Sequence, residues 1–269
     1  LSTRLAAPLT DAAAIDRRLD GVAFMVGETR LRGDLCDALG RCPDLERALS
    51  RLTVGRGGPR DLAAVRDALA QASVLRGHLA EPGLAAAPPD IAGLDEDLGR
   101  HDNLVDRLGR ALRPDLPLLS RDGGFIAPGY APELDELVAL RDESRRLIAG
   151  LEARYRDDSG VATLKVRHNN VLGYYIEVTP TNADKIGEPF IHRQTLASAV
   201  RYSTVELGEL ETKISQAADR ALALELRLFD DLGGEVTARA DPVALAGRAL
   251  AGIDLACALA ELAVERRYT

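Results

Sequence analysis

The sequence predicts a mainly α protein: an elongated helical body with a long antiparallel helical arm and a small antiparallel β-sheet inserted at its tip. Three observations predict it. Apolar residues recur at three- and four-residue spacing along most of the chain. That period gives way to alternation around 161–196. Directly afterwards Leu207, Leu210, Ile214, Ala217, Ala221, Leu224 and Leu228 form an unbroken a/d seam of the coiled-coil type. A helix of about 35 residues spans roughly 50 Å and needs a long partner. The stretch from Pro132 to about Tyr155, with Leu137, Leu140, Ser144, Leu147 and Leu151 at the same spacing, is that partner.

The elements follow in order. Asp11 caps a helix with Ile15, Leu19 and Val22 on one stripe. Leu31, Leu35 and Leu39 mark a second, and Pro43 to Leu52 a third, with Leu45, Leu49 and Leu52 inward. Gly55-Arg56-Gly57-Gly58 is a break, and Pro59 suits the first position of a helix through Leu62, Val65, Leu69 and Ala72. After a Pro/Ala linker, Leu84 to Pro89, one helix is expected from Ile91 through Leu94, Leu98, Val105 and Leu108 to Leu112, ended by Pro114 and Pro117. Arg121-Asp122-Gly123-Gly124 is a turn between short extended pieces. Thr163 to Arg167 and Tyr174 to Thr179 alternate as strands joined through Asn169–Gly173, and Phe190 to Leu196 is a third. Helix resumes near Ser198 and runs to about Leu232, where Gly233-Gly234 should break it. Asp241-Pro242 opens a last helix carrying Ile253, Cys257, Ala260 and Val264.

Composition excludes several classes. No apolar run approaches 18 residues, so no transmembrane helix is expected. No basic n-region precedes an apolar stretch at the start, and the chain begins without Met, as an internal segment does. Cys36, Cys42 and Cys257 have no zinc-type spacing and read as small buried residues in a reducing cytoplasm. The three lysines follow Leu164, Asp184 and Thr212, so there is no Gly-Lys-Ser/Thr phosphate loop. The four histidines form no HExxH pattern, and Glu133, Asp135 and Glu136 suit the first turn of a helix. No catalytic or metal-binding residue is assigned.

Charge distribution singles out one stretch. The chain carries net charge -8, yet 161–204 is +2, with Lys165, Arg167, Lys185, Arg193 and Arg201 against Glu177, Asp184 and Glu188. Lys165 and Arg167 share a strand face, and Asn169 and Asn170 can donate to phosphate oxygens. Arg193, Gln194, Ser198 and Arg201 lie where the third strand meets the long helix, whose N-terminus would add free N–H groups. Spacing alone leaves two readings open: a phosphate-backbone site and an ordinary solvated surface.

These residues also carry a resemblance. Leu164-Lys165-Val166-Arg167-His168-Asn169-Asn170-Val171-Leu172-Gly173-Tyr174-Tyr175-Ile176-Glu177-Val178-Thr179 resembles the clamp strands of the MutS family of mismatch-repair proteins. His192-Arg193-Gln194-Thr195-Leu196, Arg201-Tyr202 and Glu206-Leu207 resemble its return into the lever. Pro43 to Arg47, Gly58 to Leu62 and Arg121 to Gly124 resemble earlier lever segments, in the family's order. The resemblance implies a lever in 1–147, a clamp in 148–204 and a returning lever in 205–269. It implies contact with the backbone of double-stranded DNA without base readout, through Asn169 and Ser198 with Arg193 and Arg201 beside them. It also implies, for the full-length proteins, homodimers, downstream repair partners, a bacterial cytoplasmic and nucleoid-associated location, and an ATPase using ATP and magnesium. No cofactor is expected for this segment, and no membrane. After Leu196 the chain departs from the family's frequent Lys-Asn-Ala-Glu, having Ala197-Ser198-Ala199-Val200 instead. A helical scaffold that binds only proteins through its acidic arm is the competing reading.

Overall fold

The computed structural model describes residues 2–82, 84, 86–169 and 171–268. The chain divides into two compact units, Leu1–Ala127 with Arg227–Thr269, and Pro128–Leu226.

The first unit is helical. It contains α1 (Ser2–Ala6), α2 (Ala12–Gly27), α3 (Thr29–Leu39), α4 (Leu45–Thr53), α5 (Pro59–Leu79), α6 (Pro89–Asp97) and α7 (Asp102–Ala111). It is completed by the end of α9 (Val205–Ala238) and by α10 (Ala240–Arg266). The predicted cap at Asp11 forms, its side chain accepting from Ala14 N–H. Asp44, a cap not foreseen, accepts from Arg47 N–H at 2.9 Å. Pro59 opens α5, where Asp61 accepts from Gly58 N–H at 2.8 Å and pairs with Arg51. The α5 start is therefore a closed interhelical turn.

The central helix is α10, packed on α2, α3, α4 and α6. Its small residues permit close approach: a Cβ at Gly252 would stand 2.6 Å from Leu94 Cδ2. By length and mean hydropathy, α10 is apolar enough to cross a membrane, against the expectation that no segment is. Here that apolarity is spent on packing, with Val243, Ala246, Ile253, Cys257 and Ala260 buried. Cys36 and Cys42 are only half-buried. Burial beside Cys36 pushes the Cys257 thiol up to about 12. Cys257 should therefore resist iodoacetamide at pH 8 in the folded chain and label on denaturation, read by mass spectrometry of the alkylated peptide.

Several expectations are corrected in this unit. Ile15 and Leu19 are exposed, while Gly21 and Met25 are buried. The inward face of α2 is the one that packs on α6 and α10. The single helix from Ile91 to Leu112 is two. Gly99 at φ +65 ends α6, and Arg76 donates to its carbonyl at 3.0 Å. Conversely, Gly233-Gly234 does not break α9, which continues to Ala238. Leu232 and Val236 are fully buried on either side, Phe229 packs edge-on against Phe125, and Thr237 Oγ1 donates to the Gly233 carbonyl. Anchoring of this kind outweighs the roughly 1 kcal/mol that each helical glycine costs relative to alanine. Part of the Leu84–Pro89 linker lies outside the described residues.

The second unit holds α8 (Pro132–Ser159), four strands and the start of α9. The strands β1 (Lys165–Asn169), β2 (Gly173–Val178), β3 (Ile191–Thr195) and β4 (Val200–Ser203) form one antiparallel sheet in the order β1-β2-β4-β3. The fourth strand was not predicted. Its residues were read as the start of the long helix, which begins only at Val205. The α8 stripe is also rotated. Ser144 and Leu151 of the predicted stripe are buried, but Leu140 and Leu147 are nearly half exposed, and Leu134 and Tyr155 are buried in their place. The α9 seam is buried at Leu207, Ala217, Ala221 and Leu224.

One sheet face packs with both helices. Leu164, Ile176, Val178, Val200 and Tyr202 meet Leu151 and Tyr155 of α8 and Leu207 of α9. The free edge of β1 is closed from α8: Glu152 accepts from Val166 N–H at 2.7 Å, and Arg156 donates to the Leu164 carbonyl at 2.7 Å. At the point where the chain leaves the sheet, buried Tyr155 OH lies 2.7 Å from Thr204 Oγ1. The same Oγ1 accepts from Leu207 N–H at 3.0 Å and caps α9. Tyr155→Phe keeps the ring contact with Phe190 and loses only the hydroxyl. It should lower stability by about 1 kcal/mol, measured by urea unfolding followed by circular dichroism.

Candidate nucleic-acid interface

In an antiparallel pair, directly opposed residues share a face. Lys165 opposes Glu177, which opposes Arg201, which opposes Gln194. Arg167 opposes Tyr175, and Asn169 opposes Gly173. The sheet face turned away from the helices therefore carries Lys165, Arg167, Asn169, Gln194 and Arg201. The structure brings five of the seven sequence-predicted residues onto one surface.

Their chemistry is organised by two residues that sequence reasoning missed. Glu177 lies between two arginines, 3.1 Å from Arg167 Nε and 3.4 Å from Arg201 Nε. Tyr175 is buried on this outer face, with the Arg201 guanidinium over its ring, 4.5 Å from the centroid. Arg201 also donates to Gln194 Oε1 at 3.1 Å. It is thus held by a ring, a carboxylate and an amide, with its side chain 20% exposed. Arg167 is freer, at 52%. The alternation around Tyr175 was visible in the sequence. The cross-strand register that sets Glu177 between two cations was not.

The other predicted residues sit elsewhere. Arg193 falls at the bulge of exposed β3, between His192 and Gln194. Ser198 is not at a helix start. It is one of two exposed residues turning the β3–β4 hairpin, closed by Leu196 N–H donating to the Ala199 carbonyl at 2.8 Å. The helix-dipole contribution expected there is absent at Ser198, because the chain must complete β4 before α9 begins. Asn170 lies outside the described residues.

Asn169 has a structural task. Its Oδ1 accepts from Val171 N–H at 2.9 Å and from Leu172 N–H at 2.7 Å, which shapes the β1–β2 turn. The turn closes at Gly173, whose φ is +66 and on which a Cβ would overlap the Glu211 carboxylate of α9. Gly173→Ala should destabilise the chain by more than about 1 kcal/mol. Glu211→Ala should recover part of that loss, as a double-mutant cycle by urea unfolding would measure.

An open groove of about 450 Å³ also lies between α8 and α9 near the sheet, with Leu147, Leu151 and Leu210 in its lining and Arg146 and Lys213 among its charges. Among the described residues, the one grouping of metal-type side chains lies in the other unit.

The description "MutS domain III" matches residues 1–260. The chain belongs to the MutS domain III family. It is similar over its full length to the DNA mismatch repair protein MutS of Rhodopseudomonas palustris strain BisB5, with 51% identity. MutS of Rhizobium meliloti strain 1021 is 48% identical, also over the full chain, and MutS of Paracoccus denitrificans is 50% identical over 98% of it. The chain spans about 30% of the length of these relatives.

Proposed function

We propose that this chain serves DNA mismatch repair as the part that grips duplex DNA by its backbone and links that grip to the rest of a larger protein. The outer face of the sheet is the gripping surface. Residues 148–204 act as the clamp, 1–147 as the first part of a lever and 205–269 as its return. The single observation that carries this reading is the convergence of Lys165, Arg167, Arg201 and Gln194 on one sheet face, in a MutS-family chain that is otherwise acidic.

The chemistry suits phosphates. Guanidinium forks and an ammonium supply charge-assisted donors. Arg201, immobilised over Tyr175, offers its donors with little entropy left to lose. Arg193 on the exposed bulge and Ser198 in the turn extend the surface. Glu177 keeps the affinity low, because it shares its carboxylate with two of the cations. The chain itself needs no cofactor in this role. ATP and magnesium belong to the ATPase of the longer protein, as do dimerisation, downstream repair partners and a cytoplasmic location.

Binding should be electrostatic and weak, near the 10⁻⁴ M end of non-specific affinity, with log K falling against log salt at a slope of about -3. Matched and mismatched duplexes should bind alike in fluorescence anisotropy. Arg193→Ala should make the slope shallower by about one unit. Glu177→Gln should do the reverse, tightening binding and steepening the slope, because it releases Arg167 and Arg201. Salt-independent binding would overturn the electrostatic grip, and no binding at low salt would favour a scaffold that engages only proteins.

A further inference from the structure

Two helices of the first unit bring three metal-type ligands together. His78 is near the end of α5, Glu81 follows just beyond it, and Asp34 comes from α3. One ligand atom from each lies within 4.8 Å of the other two. His78 Nδ1 is 3.1 Å from Glu81 Oε1. The Arg30 guanidinium contacts Glu81 Oε2 and stands 3.5 Å from Asp34 Oδ2. The three ligand side chains are partly buried, at 38%, 28% and 32% exposure, whereas that of Arg30 is 69% exposed.

We propose that Asp34, His78 and Glu81 bind a divalent transition-metal ion, with Arg30 as the counter-ion when no metal is present. The donor set decides the class. One imidazole nitrogen with two carboxylate oxygens suits zinc and its neighbours, whereas magnesium and calcium take oxygen alone. Two carboxylates balance a divalent charge, and three protein ligands leave a fourth position for water. With bonds of about 2.1 Å, ligands of a tetrahedral zinc stand about 3.4 Å apart. Small side-chain rotations take the observed spacing to that value once Arg30 swings into solvent. Without a metal, Arg30 supplies one positive charge to two carboxylates, and the imidazole hydrogen-bonds Glu81. A bound ion would clip α3 to the end of α5, and because it binds only the folded unit it would raise stability.

The test uses the full chain in chelator-treated buffer, with zinc as probe in titration calorimetry and thermal unfolding. One zinc per chain should bind, and Tm should rise by about 5 °C at a hundredfold excess over Kd. Magnesium should give no rise. His78→Ala and Asp34→Asn, checked for unchanged helicity by circular dichroism, should each weaken zinc binding more than tenfold. Arg30→Ala should strengthen it, since it removes the competitor. Cys36→Ser should leave it unchanged. Absence of saturable zinc binding would overturn the proposal and leave an Arg30-centred ion-pair cluster. Binding that survives His78→Ala but vanishes in Cys36→Ser would overturn it in favour of a thiolate site.

Discussion

The buried hydrogen bond between Tyr155 and Thr204 is the joint on which the second unit depends. Tyr155 closes α8 and Thr204 opens α9, so a single contact ties the segment entering the sheet to the segment leaving it. Phe190 packs edge-on against the same ring just ahead of β3. Arg154 and Glu206 reinforce the joint at the surface, where the guanidinium holds the Glu206 carboxyl below its ordinary range. That surface pair adds stability above the ordinary carboxylate pKa and loses it as pH falls through the lowered value. Being solvent-exposed, it adds little. The buried pair matters more, because an unmatched hydroxyl there would carry its full desolvation cost.

With that joint in place, the sheet can afford two unlike faces. The inner face is filled by Leu164, Ile176, Val178, Val200 and Tyr202. The outer face can then be polar without weakening the core, and its cations are organised rather than scattered. Glu177 spaces two arginines, and Tyr175 gives one of them an apolar seat. The edge of β1 is closed by Glu152 and Arg156, which removes a free N–H and carbonyl that would otherwise invite strand pairing. The sheet is thereby left with its outer face and β3 as surfaces to offer.

The first unit solves a different problem, seating many buried leucines around a central helix of small residues. Alanine and glycine on α10 bring the neighbouring helices close, and the fit depends on small residues meeting large ones, as Gly252 meets Leu94 and Gly247 meets Leu45. Arg32 shows how a charge is tolerated there. It is buried, and its guanidinium donates to the Met25 carbonyl at 2.5 Å, satisfying the last turn of α2.

By itself the sequence determined the mainly helical class, the place of the sheet, the cap at Asp11, Pro59 at the head of α5, and the a/d seam of α9. Each rests on local chemistry or on a period that survives in one dimension. Tertiary structure decided the rest. Which face of α2 or α8 turns inward is ambiguous when apolar residues flank both, and packing of α2 on α6 and α10 and of α8 on the sheet chose it. Glycine was read as a stop at Gly233-Gly234, where burial on both sides overrode it, and was missed as a stop at Gly99, where a left-handed φ was required. Ser198 was placed at a helix start because a four-residue strand, Val200 to Ser203, is too short to show alternation. Glu177 gained its part in the interface only through register, since a carboxylate between two arginines is a relation across three strands that no linear spacing displays.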